Sequence, residues 1–461
     1  MRHYGFCMDA RLSDRAGHRR QLAAVLARLT ASLVLGLCVL GWLASTGFSQ
    51  SSTGARASSA VPLGGINIGG VGALPLSMAD REIARARALH AGVVRLEIPW
   101  ATLEPSGPGQ LEPRALAYTD RLMADASKSG IKVIAFVEDT PCWASSASPS
   151  LLSKCRPSRT GKAGAWPPTN PATYAAFMAF LAQRYAPDLA ALEVWNEPDQ
   201  ANELYLAGPN KPQRYTELVR AAYPAIKAVA PSVPVLAGSL VGYNGKFLQA
   251  MYAAGIKGYY NGLSVHFYTL TLASLREFRE VELANGDTSP LWLDEFGWSS
   301  CWPKYKIQQE QACVTPKIQA QNITNLYRSL ARTTYVAAQV LYDMQGSTRE
   351  NFGVLNEHGA RKPAFAALSR VLTSPFGPVS PVTLALRRSG NQVVTSGSGP
   401  VGDIMRMEAF QGATLRFRAS FTLNRFNRYT LALPSVLGTH GLRVRVYQQW
   451  LGPSRDAQKS I

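Results

Sequence analysis

The stretch LEVWNEPDQ, residues 192–200, decides how the chain is read. An apolar run with the character of a buried strand ends on Asn196, Glu197 and Pro198, and the proline stops strand pairing next to the acid. A carboxylate is costly to keep beside a buried run unless it has a task there. The same device returns in LWLDEFGW, Leu291 to Trp298, where Glu295 closes a second apolar run and Gly297 turns the chain.

Working outward, six more runs read as buried strands: GGINIG (64–69), GVVRLEI (92–98), IKVIAFV (131–137), VPVLAGS (233–239), GLSVHFY (262–268) and AAQVLYDM (337–344). Helical segments alternate with them, among them 78–90, 113–129, 171–185, 212–230 and 317–334, several with proline in the first turn. Eight strand-then-helix units in about 310 residues predict an α/β fold, a parallel (β/α)8 TIM barrel over 63–375. An open doubly wound sheet is the competing arrangement. It is disfavoured because the unusual polar residues stand at the C-terminal ends of several strands, where a barrel gathers them. After a last helix at 361–372 the pattern becomes short alternating strands, TLRFRASF (414–421) and LRVRVY (442–447), so 376–461 is read as a small antiparallel, β-sandwich-like domain. Its Arg416, Arg418, Arg443 and Arg445 are read as a solvated face guarding edge strands, with an adhesive face for anionic polymers as the alternative.

The 461 residues are 46% hydrophobic, enough for one large core and a smaller one, and the formal net charge is +18. No zinc-ligand spacing, RNP-like segment or long basic block accompanies that charge, so no nucleic-acid partner is expected. The histidines are scattered and predict no metal, and GGINIGGVG lacks the spacing of a nucleotide loop, so no cofactor is expected. Arg2, Arg11, Arg15, Arg19, Arg20 and Arg28 precede an uncharged apolar run, Leu29 to Ala44. Hence 1–28 is read as a cytoplasmic basic region, 29–48 as a signal peptide or signal anchor, and 49–62 as a linker. The rest is expected outside the cytoplasm as a monomer, secreted or held to the membrane by that segment. Two close cysteine pairs, Cys142 with Cys155 and Cys301 with Cys313, agree with an oxidising compartment. Asn322 begins an Asn-Ile-Thr sequon.

Over about Leu63 to Leu372 the chain resembles the clan A glycoside hydrolases, in particular the family 39 and cellulase-like family 5 barrels, on the strength of WNEPD at strand four and DEFGW at strand seven. The resemblance implies a retaining glycosidase acting on a polysaccharide or oligosaccharide, with Glu197 as general acid/base, Glu295 as nucleophile and Asn196 as donor to the sugar 2-hydroxyl. Strands four and seven face each other across a barrel, which suits the ~5 Å carboxyl separation of retaining chemistry. Glu197 is expected against an apolar wall containing Trp195. Arg95 and Tyr268 are candidate donors to Glu295; Arg95 has an ion pair with Glu97 as its structural alternative. His266 shares the strand face of Tyr268. Trp100, Trp143, Trp195 and Trp298 fall at or after strand ends and are candidate sugar platforms, as is Tyr342, which stands where the family commonly ends strand eight with tryptophan. Transglycosylation, or a non-catalytic carbohydrate-binding barrel, are the competing functions.

Overall fold

The computed structural model describes residues 61–241, 245–268, 272–301, 313–347, 351–401, 404–449 and 457–461. The regions expected at 1–28 and 29–48, and nearly all of the linker, lie outside the described residues. Eight strands form the centre: β1 (Leu63–Asn67), β2 (Val93–Pro99), β3 (Lys132–Glu138), β4 (Leu189–Val194), β5 (Val235–Leu240), β6 (Gly262–His266), β7 (Leu291–Phe296) and β8 (Val336–Leu341). They pair in parallel in chain order and β8 closes on β1, so the sheet is a barrel and not an open doubly wound sheet. The enclosing helices start where the sequence marks them. Glu112, Asn170 and Thr315 each accept a first-turn backbone N–H with proline following, and open the helices Pro113–Lys128, Pro171–Tyr185 and Pro316–Leu330.

The barrel interior is layered, because alternate residues of each strand point inward. At the bottom, Val93, Ile134, Ala191, Leu236, Trp292, Ala338 and Val340 make an apolar plug. One step up, β2, β4, β6 and β7 present Arg95, Glu193, Ser264 and Asp294, all buried. Arg95 lies 4.0 Å over the Phe136 ring, donates from Nε and Nη2 to the two oxygens of Glu193 at 2.9 and 3.1 Å, and has Nε 3.4 Å from Asp294. The other guanidinium nitrogen donates to Asn67 Oδ1 at 3.2 Å. Ser264 Oγ lies 2.6 Å from Asp294 and 3.0 Å from Glu193, and the Ser239 hydroxyl also donates to Glu193. Burial opposes ionisation of Glu193, yet Arg95 holds its carboxyl down to about 2. Burial and the Glu193 charge push Asp294 well up, toward the neutral acid. One cation therefore meets one carboxylate; Asp294 Oδ2 is engaged by Ser264, and its Oδ1 is buried with no hydrogen-bond partner among the described residues.

The C-terminal strands are β9 (Ala385–Ser389), β10 (Gln392–Ser398), β11 (Met405–Gln411), β12 (Thr414–Phe421), β13 (Arg428–Ala432), β14 (Leu442–Gln448) and β15 (Ala457–Ser460). They form two antiparallel sheets, ordered β13-β10-β9 and β12-β11-β14-β15, and residues of both share a core around Met405, Met407, Val393, Tyr429 and Val444. Arg443 and Arg445 sit on β14, an interior strand, so guarding an edge does not account for them. The module touches the barrel where Asn427 Nδ2 donates to Asn322 Oδ1 at 2.7 Å. That asparagine is 1% exposed within its helix, which leaves the Asn-Ile-Thr sequon without room for a glycan on the folded chain.

Removing Arg95 strands a buried carboxylate beside a second acid. Arg95→Met is expected to cost roughly 3–5 kcal/mol of stability, read as a lowered urea midpoint with an unchanged slope. A shift under 1 kcal/mol on that scale would show that the interior charges are not held by this residue.

Candidate active site

Two backbone irregularities turn acids at the C-terminal ends of β4 and β7 inward. At the exit of β4 both Trp195 and Glu197 adopt positive φ, 67° and 41°, a costly conformation for residues with side chains. It rotates Glu197 over the barrel mouth and sends Trp195 the other way, fully buried, with its ring N–H on Tyr205 O at 3.0 Å. On β7 one extra residue stands against each neighbour: Ser264 and His266 pair with Trp292 and Glu295, while Gln339 and Leu341 pair with Leu293 and Phe296. This bulge lets consecutive residues, Asp294 and Glu295, both face the interior, which plain alternation forbids.

Glu197 and Glu295 meet at His266. Its Nδ1 is 2.7 Å from Glu197 Oε1 and 2.5 Å from Glu295 Oε2, and the three ligand-type atoms of this group lie within 4.8 Å of one another. Burial opposes a charge on the ring, but Glu295 and Glu197 outweigh it and raise its affinity for protons well above the ordinary value. Arg95 Nη2, a group that only donates, lies 3.2 Å from Nε2 and opposes a second proton there, so the ring proton is assigned to Nδ1 between the carboxylates. Burial opposes ionisation of Glu295, but His266 and Arg95 outweigh it and hold the carboxyl below its ordinary range. The second oxygen of Glu197 accepts from Gln200 Nε2. The expected apolar wall of Trp195 is thus replaced by two hydrogen-bond donors. Asn196 Oδ1 accepts from Arg95 Nη2 at 3.0 Å, which orients the amide and leaves Nδ2 as the donor with no partner among the described residues.

Several sequence expectations change. Arg95 makes no ion pair with Glu97 and no hydrogen bond to Glu295, and at 1% exposure it lies beneath the cleft, acting on Asn196 and His266. His266, also 1% exposed, touches the acids and is not a surface for sugar. Trp100 is fully buried, bonded through Nε1 to Glu104 at 2.6 Å and edge-on to Trp143, and Trp298 is buried against Phe296. Trp143 is half-buried, with its N–H on Glu104 O. Tyr268 and Tyr342 are half-buried at the mouth and meet edge-on with Phe352, a ring the sequence did not single out. Burial and the Glu295 charge push the Tyr268 hydroxyl well up, keeping it a neutral donor. Gln200 was also missed, although it stands inside the deciding stretch.

Disulfides join Cys142 to Cys155, after β3, and Cys301 to Cys313, after β7, with Cα separations of 5.7 and 5.4 Å. Both bonds lie beyond the C-terminal ends of barrel strands, on the side where Glu197 and Glu295 stand. Beside Glu197, the ends of β2 and β3 bring up Glu97, Glu138 and Asp139, with no ion pair to any of them among the described residues. Burial, then Asp139, raises Glu97 to about 7, and burial with Glu97, Asp139 and Glu197 pushes Glu138 well up. The only acid and histidine groupings with metal-like proximity among the described residues are Glu193 with His266 and Asp294, and Glu197 with His266 and Glu295. The first is already engaged by Arg95, and the second is bridged by the Nδ1 proton, so both are accounted for as hydrogen-bonded clusters.

No family model matches the sequence, and no characterised protein matches it. Among solved structures the chain is similar to a family 39 glycoside hydrolase from Bacteroides cellulosilyticus WH2, at 16% identity and TM-score 0.52 over 85% of this chain and 82% of that one. It is similar to the GH39 enzyme from Xanthomonas axonopodis pv. citri, at 13% identity and TM-score 0.50 over 81% and 92% of the two chains. A third likeness is to the β-glycosidase BGL167, at 12% identity and TM-score 0.51 over 70% and 98%. At these identities the likeness is one of fold, and it extends through the (β/α)8 barrel described above.

Glu97 binds its proton more tightly folded than unfolded, so the stability it contributes is present at acid pH and is lost as pH rises through about 7. Glu97→Gln removes that loss. The variant is expected to raise the thermal midpoint by roughly 1–3 °C at pH 8 and to leave it unchanged near pH 4. An equal gain at both pH values would contradict the electrostatic origin.

Proposed function

We propose that the protein is a retaining glycoside hydrolase that cleaves O-glycosidic bonds of a polysaccharide or oligosaccharide. The observation that carries this reading is the approach of Glu197 and Glu295, from the ends of β4 and β7, to within 4.8 Å at one nitrogen of His266. A gap of that size suits direct attack by one carboxylate and is too narrow for a water to be activated between them. Glu295, held ionised by His266, attacks the anomeric carbon and forms a glycosyl ester. Glu197, whose oxygens both accept hydrogen bonds in the free site and which takes up a proton from solvent before the reaction, passes that proton to the departing oxygen. In the second step Glu197 takes a proton from water, which displaces Glu295. The free Nδ2 of Asn196 is placed to bond the hydroxyl next to the reacting carbon, and Tyr268, Tyr342 and Phe352 offer apolar edges to the sugar.

We further propose an extracytoplasmic site of action. Support comes from the basic, then apolar, N-terminal sequence and from the two disulfides.

Glu295→Gln and Glu197→Gln are each expected to lower turnover of an oligosaccharide by about a thousandfold or more with unchanged unfolding midpoints. An aryl glycoside whose leaving group needs no proton separates the two roles: Glu197→Gln retains its first step, seen as a burst, and Glu295→Gln does not. Proton NMR of the first-formed product should show the anomeric configuration of the bond cut. Inversion, or near-normal turnover in either variant, would remove the reading.

A further inference from the structure

The outer face of the four-stranded sheet is arranged in rows across β14, β11 and β12. Arg443, Phe410 and Leu415 form one row; Arg445, Glu408 and Arg418 the next; Tyr447, Arg406 and Ser420 the third. A bulge on β12 sets the first row. Ala409 pairs with Phe417 and Phe410 with Leu415, so Arg416 is the extra residue, exposed, and Leu415 is turned outward at 39% exposure. Plain alternation would have put Leu415 in the core.

Among the described residues the one acid of this face is already satisfied. Glu408 accepts from Arg418 at 2.9 Å and from Arg445 at 2.5 Å, and these two arginines hold its carboxyl below the ordinary range against its burial. Arg443, stacked 4.7 Å over the Phe410 ring, and Arg416 have no carboxylate partner among the described residues. Residues 376–461 hold eleven basic against three acidic side chains. Collecting like charges on one sheet costs self-repulsion, which an anionic partner relieves.

We infer that this face is a docking surface for an anionic polysaccharide bearing carboxylate groups along its length. The Arg418–Glu408–Arg445 row shows the geometry, a carboxylate held between guanidinium groups of strands on either side, and Arg443 and Arg416 offer two more such groups across Phe410 and Leu415. Nucleic acid fits less well, because Arg443 covers Phe410, the ring on which a base would stack. The surface belongs to the C-terminal sheets, and its test does not depend on turnover by the barrel.

The test is affinity electrophoresis of the full chain through polygalacturonate, with a neutral galactomannan as reference. All proteins carry Glu295→Gln so that the polymer stays intact whatever the barrel does. Retardation by polygalacturonate alone is expected. Arg416→Glu with Arg443→Glu should weaken it about tenfold or more, and Arg416→Gln with Arg443→Gln by less, with thermal midpoints unchanged. Arg387→Glu with Arg388→Glu makes the same charge change on exposed positions of β9 in the other sheet and should alter binding by less than about twofold. Equal losses in the two charge-reversed proteins would reduce the effect to net charge and overturn the proposal. So would no retardation, or duplex DNA competing as well as polygalacturonate at about 150 mM salt.

Discussion

The C-terminal face of the barrel rests on one guanidinium. Arg95 stands in the middle of the barrel, neutralises Glu193, donates from Nη1 to Asn67, and from Nη2, whose two hydrogens are shared with Glu193, reaches Asn196 and Nε2 of His266. Each contact fixes something above it: the amide of Asn196 by its oxygen, and the ring proton of His266 by its acceptor nitrogen. A lysine could not reproduce this, since its point charge lacks the planar fork that reaches several acceptors at once. The apolar plug below and the acids above are thereby connected through charges that are costly to bury singly and stable only as a set.

A regular barrel would waste half of each strand on the helix layer. Here the two key acids are turned by departures from regularity, left-handed backbone at Trp195 and Glu197 on one side and an added residue in β7 on the other. β5 behaves alike: Ala237 and Leu240 pair with Leu263 and Val265, and Ser239, at positive φ, reaches Glu193. Irregular strand ends therefore cluster where polar side chains must converge.

Much of this was legible in the sequence. Apolar runs ending on polar residues located Asn196, Glu197 and Glu295, and the cysteine spacing located both disulfides. The tryptophans were less legible, because a ring at a strand end is equally suited to the wall behind the site; Trp100, Trp195 and Trp298 took that place. Phe352 was hidden because its approach to Tyr268 and Tyr342 is a matter of loop path. The interior network left a trace that was not used: Arg95, Glu193 and Asp294 each interrupt an otherwise apolar run, and charges in buried parallel strands must find one another.

The added residue of β7 also bears on how such a site can change over generations. Exchanging side chains leaves the frame of the strand intact, whereas removing a single codon between Leu293 and Phe296 would restore strict alternation and leave room for one inward acid where two now stand. Either the buried arginine would lose a neighbour or the cleft would lose its second carboxylate. Strand length therefore constrains this point as tightly as residue identity does.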